Sequence, residues 1–308
     1  MAQPKNHRFL EGVFSWTERG YNLAGDPPID LLAPAALASD DPWIAIAAAV
    51  EHAKHGNHRP IRGLTRLFRM NSEFFADRIA IIATGDAGTE FDLASLENLL
   101  LEGPDPVRAY AAEAALQAGG LWLVPAMLRA WRLVKQLADR ETIGFAIADL
   151  LEDAGGVLSA KAGAAPLDPA LMAKLNYPAE MIALAEEQDD DELEEPGFES
   201  LANAKFEELK AQYQTEKVVV YQGRLFGVMS LAEQMLDLAR GSVPGDASWI
   251  LLRHKFEAST GVNCSSFFER RVFQRLAAAA ILEDFLIQPE SSRYEDGRRY
   301  FYGHIIPD

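Results

Sequence analysis

Four apolar, alanine-rich segments begin at near-equal intervals in the first half of the chain, a period that predicts stacked helix pairs, the alternative being a non-repetitive helical bundle with coincidental spacing. Asp41-Pro42-Trp43 opens one run (Ile44, Ile46, Ala49, Val50), and Asp105-Pro106-Val107 opens another (Ala109, Ala112, Ala115, Leu116). An acidic residue followed by proline is a helix start, because proline fixes φ and needs no N–H partner in the first turn. Similar runs follow Glu73 (Phe74, Phe75, Ile79, Ile82, Ala83) and Asp139 (Ile143, Phe145, Ala146, Leu150, Leu151). Each start is followed by a second helical stretch, Pro60 to Arg69, Leu93 to Leu101 and Leu121 to Leu137, with glycines or polar residues between. The repeated unit is helix-turn-helix, with a period somewhat shorter than that of standard helical repeats.

The periodicity breaks at Ala154-Gly155-Gly156 and again from Ala162 to Pro166. A short helix is predicted from Asp168-Pro169, and then the charge pattern shifts. The chain carries −17 in all, and residues 180 to 210 hold twelve carboxylates against Lys205 and Lys210. Like-charge repulsion predicts a mobile, solvated loop over Gln188 to Gly197. Beyond it, Lys217 to Tyr221 and Arg224 to Val228 read as the arms of a hairpin around Gln222-Gly223. Ser230 with Glu233 gives a capping-box pattern ahead of Leu231, Met235 and Leu236. Two further helices are predicted, over about Ser248 to Ser259 and Ser266 to Ile287, then a terminal strand from Arg299 to Ile306 after Asp296-Gly297. The expected fold is mainly α: a helical repeat region over 1–160, an acidic linker over 161–200, and a mainly helical domain with a small β-sheet over 201–308.

The acidic balance argues against nonspecific nucleic-acid binding, which depends on clustered Lys and Arg. No apolar run is long enough to span a bilayer, and residues Met1 to Arg8 lack a signal-peptide pattern, so neither membrane nor export is predicted. The single cysteine, Cys264, cannot form an internal disulfide, which fits a cytoplasmic chain. No cofactor and no metal site are predicted. His52, His55 and His58 are spaced by three, but Gly56-Asn57 separates the last from the others, and no Cys or HExxH pattern supports zinc. Cys264 lacks a cysteine-hydrolase signature, and Gly85-Asp86-Ala87-Gly88 lacks the Lys and Ser/Thr of a phosphate loop. Asp149, Glu152 and Asp153 read as a solvated helix end. The C-terminal aromatic residues fit two readings equally, a recognition surface or an edge strand with one buried face.

Over about residues 38 to 158 the chain resembles the HEAT-like superfamily, through its Asp-Pro helix openings at Asp41-Pro42 and Asp105-Pro106. With the acidic run Asp189 to Glu195 and the C-terminal Tyr300-Phe301-Tyr302-Gly303-His304-Ile305-Ile306-Pro307, the whole also resembles bacterial immunity proteins of polymorphic-toxin systems. The first resemblance implies an α-solenoid in the N-terminal half. The second implies a non-catalytic protein that neutralises a basic toxin domain by binding it. Asp189, Asp190, Asp191, Glu192, Glu194 and Glu195 would supply steering, and Tyr294, Arg299, Tyr300 and Tyr302 the anchoring contacts. The alternatives are a HEAT-like enzyme of lyase type and a structural adaptor.

Overall fold

A computed structural model describes residues 7–69, 74–153, 155–164, 197–241 and 246–308. The described chain is mainly helical, with three two-stranded sheets. Among the described residues no helix is long and apolar enough to cross a membrane. In chain order the helices are α1 (Pro34–Leu37), α2 (Pro42–Lys54), α3 (Phe74–Ala87), α4 (Glu90–Glu102), α5 (Asp105–Ala118), α6 (Val124–Leu133), α7 (Leu137–Leu151) and α8 (Val157–Ala164). They continue with α9 (Phe198–Tyr213), α10 (Val228–Arg240), α11 (Asp246–Thr260) and α12 (Arg275–Ile287). The strand pairs are β1–β2 (Val220–Tyr221, Arg224–Leu225), β3–β4 (Phe268–Glu269, Val272–Phe273) and β5–β6 (Tyr300–Phe301, His304–Ile305).

The helices α2, α3, α5 and α7 begin within two residues of the expected starts. Asp41 caps α2 as its position suggests, accepting from the backbone N–H of Trp43 at 2.9 Å and of Ile44 at 3.3 Å. Asp105 does not cap α5. It lies inside the first turn, and its carboxylate accepts from Arg108 and from the backbone N–H of Lys135. The stretch expected as a helix from Pro60 is a 3-10 run, Arg59–Arg69. Pro60 and Gly63 disfavour α-helical hydrogen bonding there.

Two compact units divide the chain, and they do not follow the linear order expected from the sequence. One combines Met1–Leu96 with Leu225–Asp308, and the other is Glu97–Arg224. The reason for the first is a shared core: Phe301 and Ile306 from the C-terminal end pack in one cluster with Phe9, Leu10, Trp43 and Ile46. Burial of that apolar surface, not chain order, sets the boundary.

In the second unit α5 packs on α7, and α7 on α6 and α8. The loop after α5 pairs with the approach to β1: Val220 N–H donates to Gly119 O at 2.7 Å, and Leu121 N–H to Val218 O at 3.0 Å. Gly119 sits at φ 74°, and a Cβ there would lie 2.8 Å from Val220 O. Only glycine allows that approach.

The largest departure from the sequence expectation lies before α12. The helix expected from Ser266 starts at Arg275, and the aromatic stretch ahead of it forms the β3–β4 hairpin, with Phe268 opposite Phe273 and Glu269 opposite Val272. Likewise α10 begins at Val228 behind Gly227, so Ser230 is inside the helix and caps nothing.

Candidate functional site

Arg253-His254-Lys255-Phe256-Glu257 places four ionisable residues on every side of one helical turn of α11. Such a pattern ordinarily marks a solvated helix, but here all four are buried, with exposures of 0%, 3%, 4% and 2%. Their neighbours Trp249, Leu252 and Phe256 are buried too, so α11 is enclosed on all sides from Leu252 to Thr260. Buried charge requires partners, and the irregular N-terminal segment supplies several. Arg253 donates to the carbonyls of Trp16, Glu18 and Cys264, and lies 2.8 Å from the Glu257 carboxylate. Asn22 donates to Glu257 at 2.5 Å. Gly20, at φ +53°, lets the segment pass so close that a Cβ would lie 2.9 Å from a Glu257 oxygen.

Around His254 the arrangement is more specific. Asp86, on α3, accepts from His254 Nε2 at 2.7 Å and from the Tyr21 hydroxyl at 2.5 Å through the same oxygen. The Trp16 ring stacks on the imidazole at 4.4 Å, and the Tyr21 ring lies 5.6 Å from it. Burial, reinforced by the Asp86 charge and hydrogen bond, raises the Tyr21 phenol well above its ordinary range, so it stays a donor. A carboxylate orienting an imidazole is the supporting half of many acid–base arrangements. In this protein the Tyr21, Asp86 and His254 side chains are committed to one another, and each residue is at most 7% exposed. The cluster is enclosed in the interior and joins the N-terminal segment, α3 and α11.

Two neighbouring groups carry displaced proton affinities. Burial brings the Lys255 ammonium down to about 7, opposed by the Asp86 charge and assisted by Arg299. Burial pushes the Glu257 carboxyl up to about 7, against the opposing pull of Arg253, Lys54 and its hydrogen bonds. Lys255 also sits 4.6 Å over the Phe226 ring.

Within the second unit a cavity of ≈ 390 Å³ is lined by Glu152, Asp153, Lys205, Arg224 and the turn Gln222-Gly223, among others. Its charged groups are already engaged. Arg224 pairs with Asp153 at 2.8 Å, Lys205 with Glu208 at 2.9 Å, and Glu152 accepts from Ser159 N–H at 2.9 Å. Behind them burial, with the Glu152 charge, raises the Asp149 carboxyl to about 6.

The residues expected to bind a partner fall into two sets. Asp189, Asp190, Asp191, Glu192, Glu194 and Glu195, with the whole of Gln188 to Pro196, lie outside the described residues, as does the short helix expected from Asp168. The C-terminal set lies inward in the first unit. Tyr294 and Tyr300 are buried and pack edge to face at 4.9 Å, and Glu295 N–H donates to the Tyr300 hydroxyl. Arg299 donates to the carbonyls of Gly85 and Gly88 at the end of α3, and burial brings its guanidinium down to about 10. Tyr302 is half-buried, with Lys54 5.0 Å over its ring and its hydroxyl donating to Asn22. Tyr294 and Tyr300 thus turn their rings inward, while Arg299 and Tyr302 are half-buried.

The three spaced histidines also separate. His58 is buried against Ala87 O, His52 bonds Asn57, and exposed His55 lies 3.6 Å from Glu51. Among the described residues no group of three His, Cys, Asp or Glu could hold a metal ion. Cys264 is buried, and burial raises its thiol well above the usual range, while His254 is given to Asp86. The Tyr21–Asp86–His254 cluster joins residues far apart in sequence, so no local motif announces it. The one available signal was the run of charges between Trp249 and Phe256. No family model, curated protein or solved structure matches the chain.

Proposed function

We propose that the protein acts by binding another protein, on a scaffold of HEAT-like helix pairs and in the manner of an immunity protein that neutralises a basic toxin. The observation that carries this reading is the surface of α12. The helix is amphipathic, with Arg275, Glu283 and Asp284 on the half turned away from the core. One side buries Ala278, Leu282 and Phe285, while Leu276 is 89% exposed and Ile287 80% exposed. Eleven residues apart, they share a helix face. On this otherwise charged face we read the two as apolar anchors within a polar interface rim. The local acidity of residues 180 to 210 supports a partner that is basic over part of its surface.

The test is capture from the native cell by the full chain and by the variant Leu276→Asp/Ile287→Lys, with circular dichroism to establish that both are folded. Loss of a specific captured protein in the variant, together with protection of cells that produce that protein, is the expected result. Turnover of a small molecule by the purified chain, with no protein captured, would favour the lyase alternative and end this reading.

A further inference from the structure

Three hairpins in this chain share one turn geometry. Each has a two-residue connection with both residues at positive φ: Gln222 and Gly223 (51° and 70°), Arg270 and Arg271 (51° and 67°), Tyr302 and Gly303 (49° and 75°). That is the type I′ connection, which matches strand twist and favours Asn and Gly. Two of the three tips do the same thing with their free backbone donors. Gln222 N–H and Gly223 N–H donate to Asp149 O and Leu150 O, both at 3.0 Å, in the last turn of α7. Tyr302 N–H and Gly303 N–H donate to Ala258 O and Ser259 O, at 2.7 and 2.8 Å, in the last turn of α11. In both cases a turn closes a helix C-terminus by satisfying carbonyls that the helix itself leaves unpaired.

The β3–β4 tip has the same two donors in the same conformation. Among the described residues neither Arg270 N–H nor Arg271 N–H reaches an acceptor, and neither guanidinium has a partner. Both arginines are exposed, and Val272, directly after them, is 61% exposed. Arginine is also an unfavourable residue at positive φ.

We propose that the Arg270–Arg271 tip is a docking site for the C-terminal end of a helix on a partner protein. Its two N–H groups take the last-turn carbonyls, as the sister hairpins do for α7 and α11. The guanidinium groups face the negative end of the helix dipole and any carboxylate beside it. Val272 covers the apolar side of the contact. The inference rests on the protein-binding reading but assigns it a place and a partner chemistry.

The test has two arms, both on the full chain. In the first, an N-acetylated helical peptide with glutamates in its last turn is titrated into isotope-labelled protein and followed by amide NMR. The amides of Arg270 and Arg271 should move downfield. The variant Arg270→Asn/Arg271→Gly, which keeps the turn and its donors but removes both charges, should bind at least tenfold more weakly. A peptide with lysines in that last turn should bind no better than the variant does. Unmoved amides, or equal binding of the lysine peptide, overturn the proposal. In the second arm a photo-crosslinking residue at Val272 maps the contact on the protein captured from native cells. A crosslink in the last turn of a helix supports the site. A crosslink elsewhere, or undiminished capture by the double variant, overturns the site and leaves the binding reading standing. No captured protein from either form overturns both.

Discussion

Replacing Asp86 by alanine tests whether the buried cluster is the keystone of the first unit. The carboxylate accepts from His254 Nε2 at 2.7 Å and from the Tyr21 hydroxyl at 2.5 Å, with all three residues buried. Truncation leaves two enclosed donors without an acceptor, and each such orphan costs about 1–3 kcal/mol. It also removes a charge that supports both Lys255 and Arg299 in their protonated forms. Asp86→Ala should therefore destabilise the unit by roughly 3–6 kcal/mol, and Tyr21→Phe, which removes one donor, by about 1.5–3 kcal/mol. In the Asp86→Ala background Tyr21→Phe should be neutral or stabilising, because it removes an orphaned hydroxyl. Urea unfolding followed by tryptophan fluorescence gives the free energies, and the imidazole nitrogen shifts of His254 report directly on the lost bond. The reasoning fails if Asp86→Ala costs less than about 1 kcal/mol, or if the two substitutions are additive.

Three further outcomes follow from the same interior and surface. Glu257, with its carboxyl raised from 4.5 to about 7, binds a proton in the folded state that the unfolded chain has released, so its contribution falls as pH rises from about 4.5 to 7. Lys255, lowered from 10.5 to about 7, has the opposite slope, costing stability at low pH and relieving it as pH rises from about 7 to 10.5; in urea unfolding across pH, Glu257→Gln should flatten the first limb and Lys255→Met the second. Asp41→Ala should cost about 1 kcal/mol through lost capping of α2, measured by thermal unfolding. Arg270→Asn/Arg271→Gly should raise stability by roughly 1–3 kcal/mol, since each non-glycine residue in the left-handed region costs about 1–2 kcal/mol; a loss of stability would show that the arginines hold the fold.

The helix starts of the first half were legible because their signals are local. Proline fixes its own φ, and the Asp41 carboxylate reaches N–H groups two and three residues away. The β3–β4 hairpin was not legible, since Phe267, Phe268 and Phe273 fit a helical face as well as a strand and nothing in Arg270-Arg271 announces positive φ. The candidate cluster was hidden for a different reason. Tyr21, Asp86 and His254 lie 65 and 168 positions apart as bonded pairs, and only tertiary packing brings them together. The inward placement of Tyr300 was equally a tertiary fact: strand alternation fixes two faces, not which face is covered.

Backbone strain is unevenly compensated among the three hairpins. Tyr302 tolerates φ of 49° while its N–H caps α11, its hydroxyl bonds Asn22 and its ring meets Lys54. Gln222, at 51°, is buried, and its N–H caps α7. In both, hydrogen bonds made only in that conformation offset the cost of the left-handed region. Arg270 and Arg271 hold the same conformation with two side chains poorly suited to it and no compensating bond among the described residues. Asn-Gly there would fit the geometry without strain. Two adjacent arginines in strained, solvent-facing positions on a chain of net charge −17 turn outward the same pair of donors that the sister tips give to helix ends, and add the positive charge that the negative end of a helix dipole favours, which is the contact proposed for this tip.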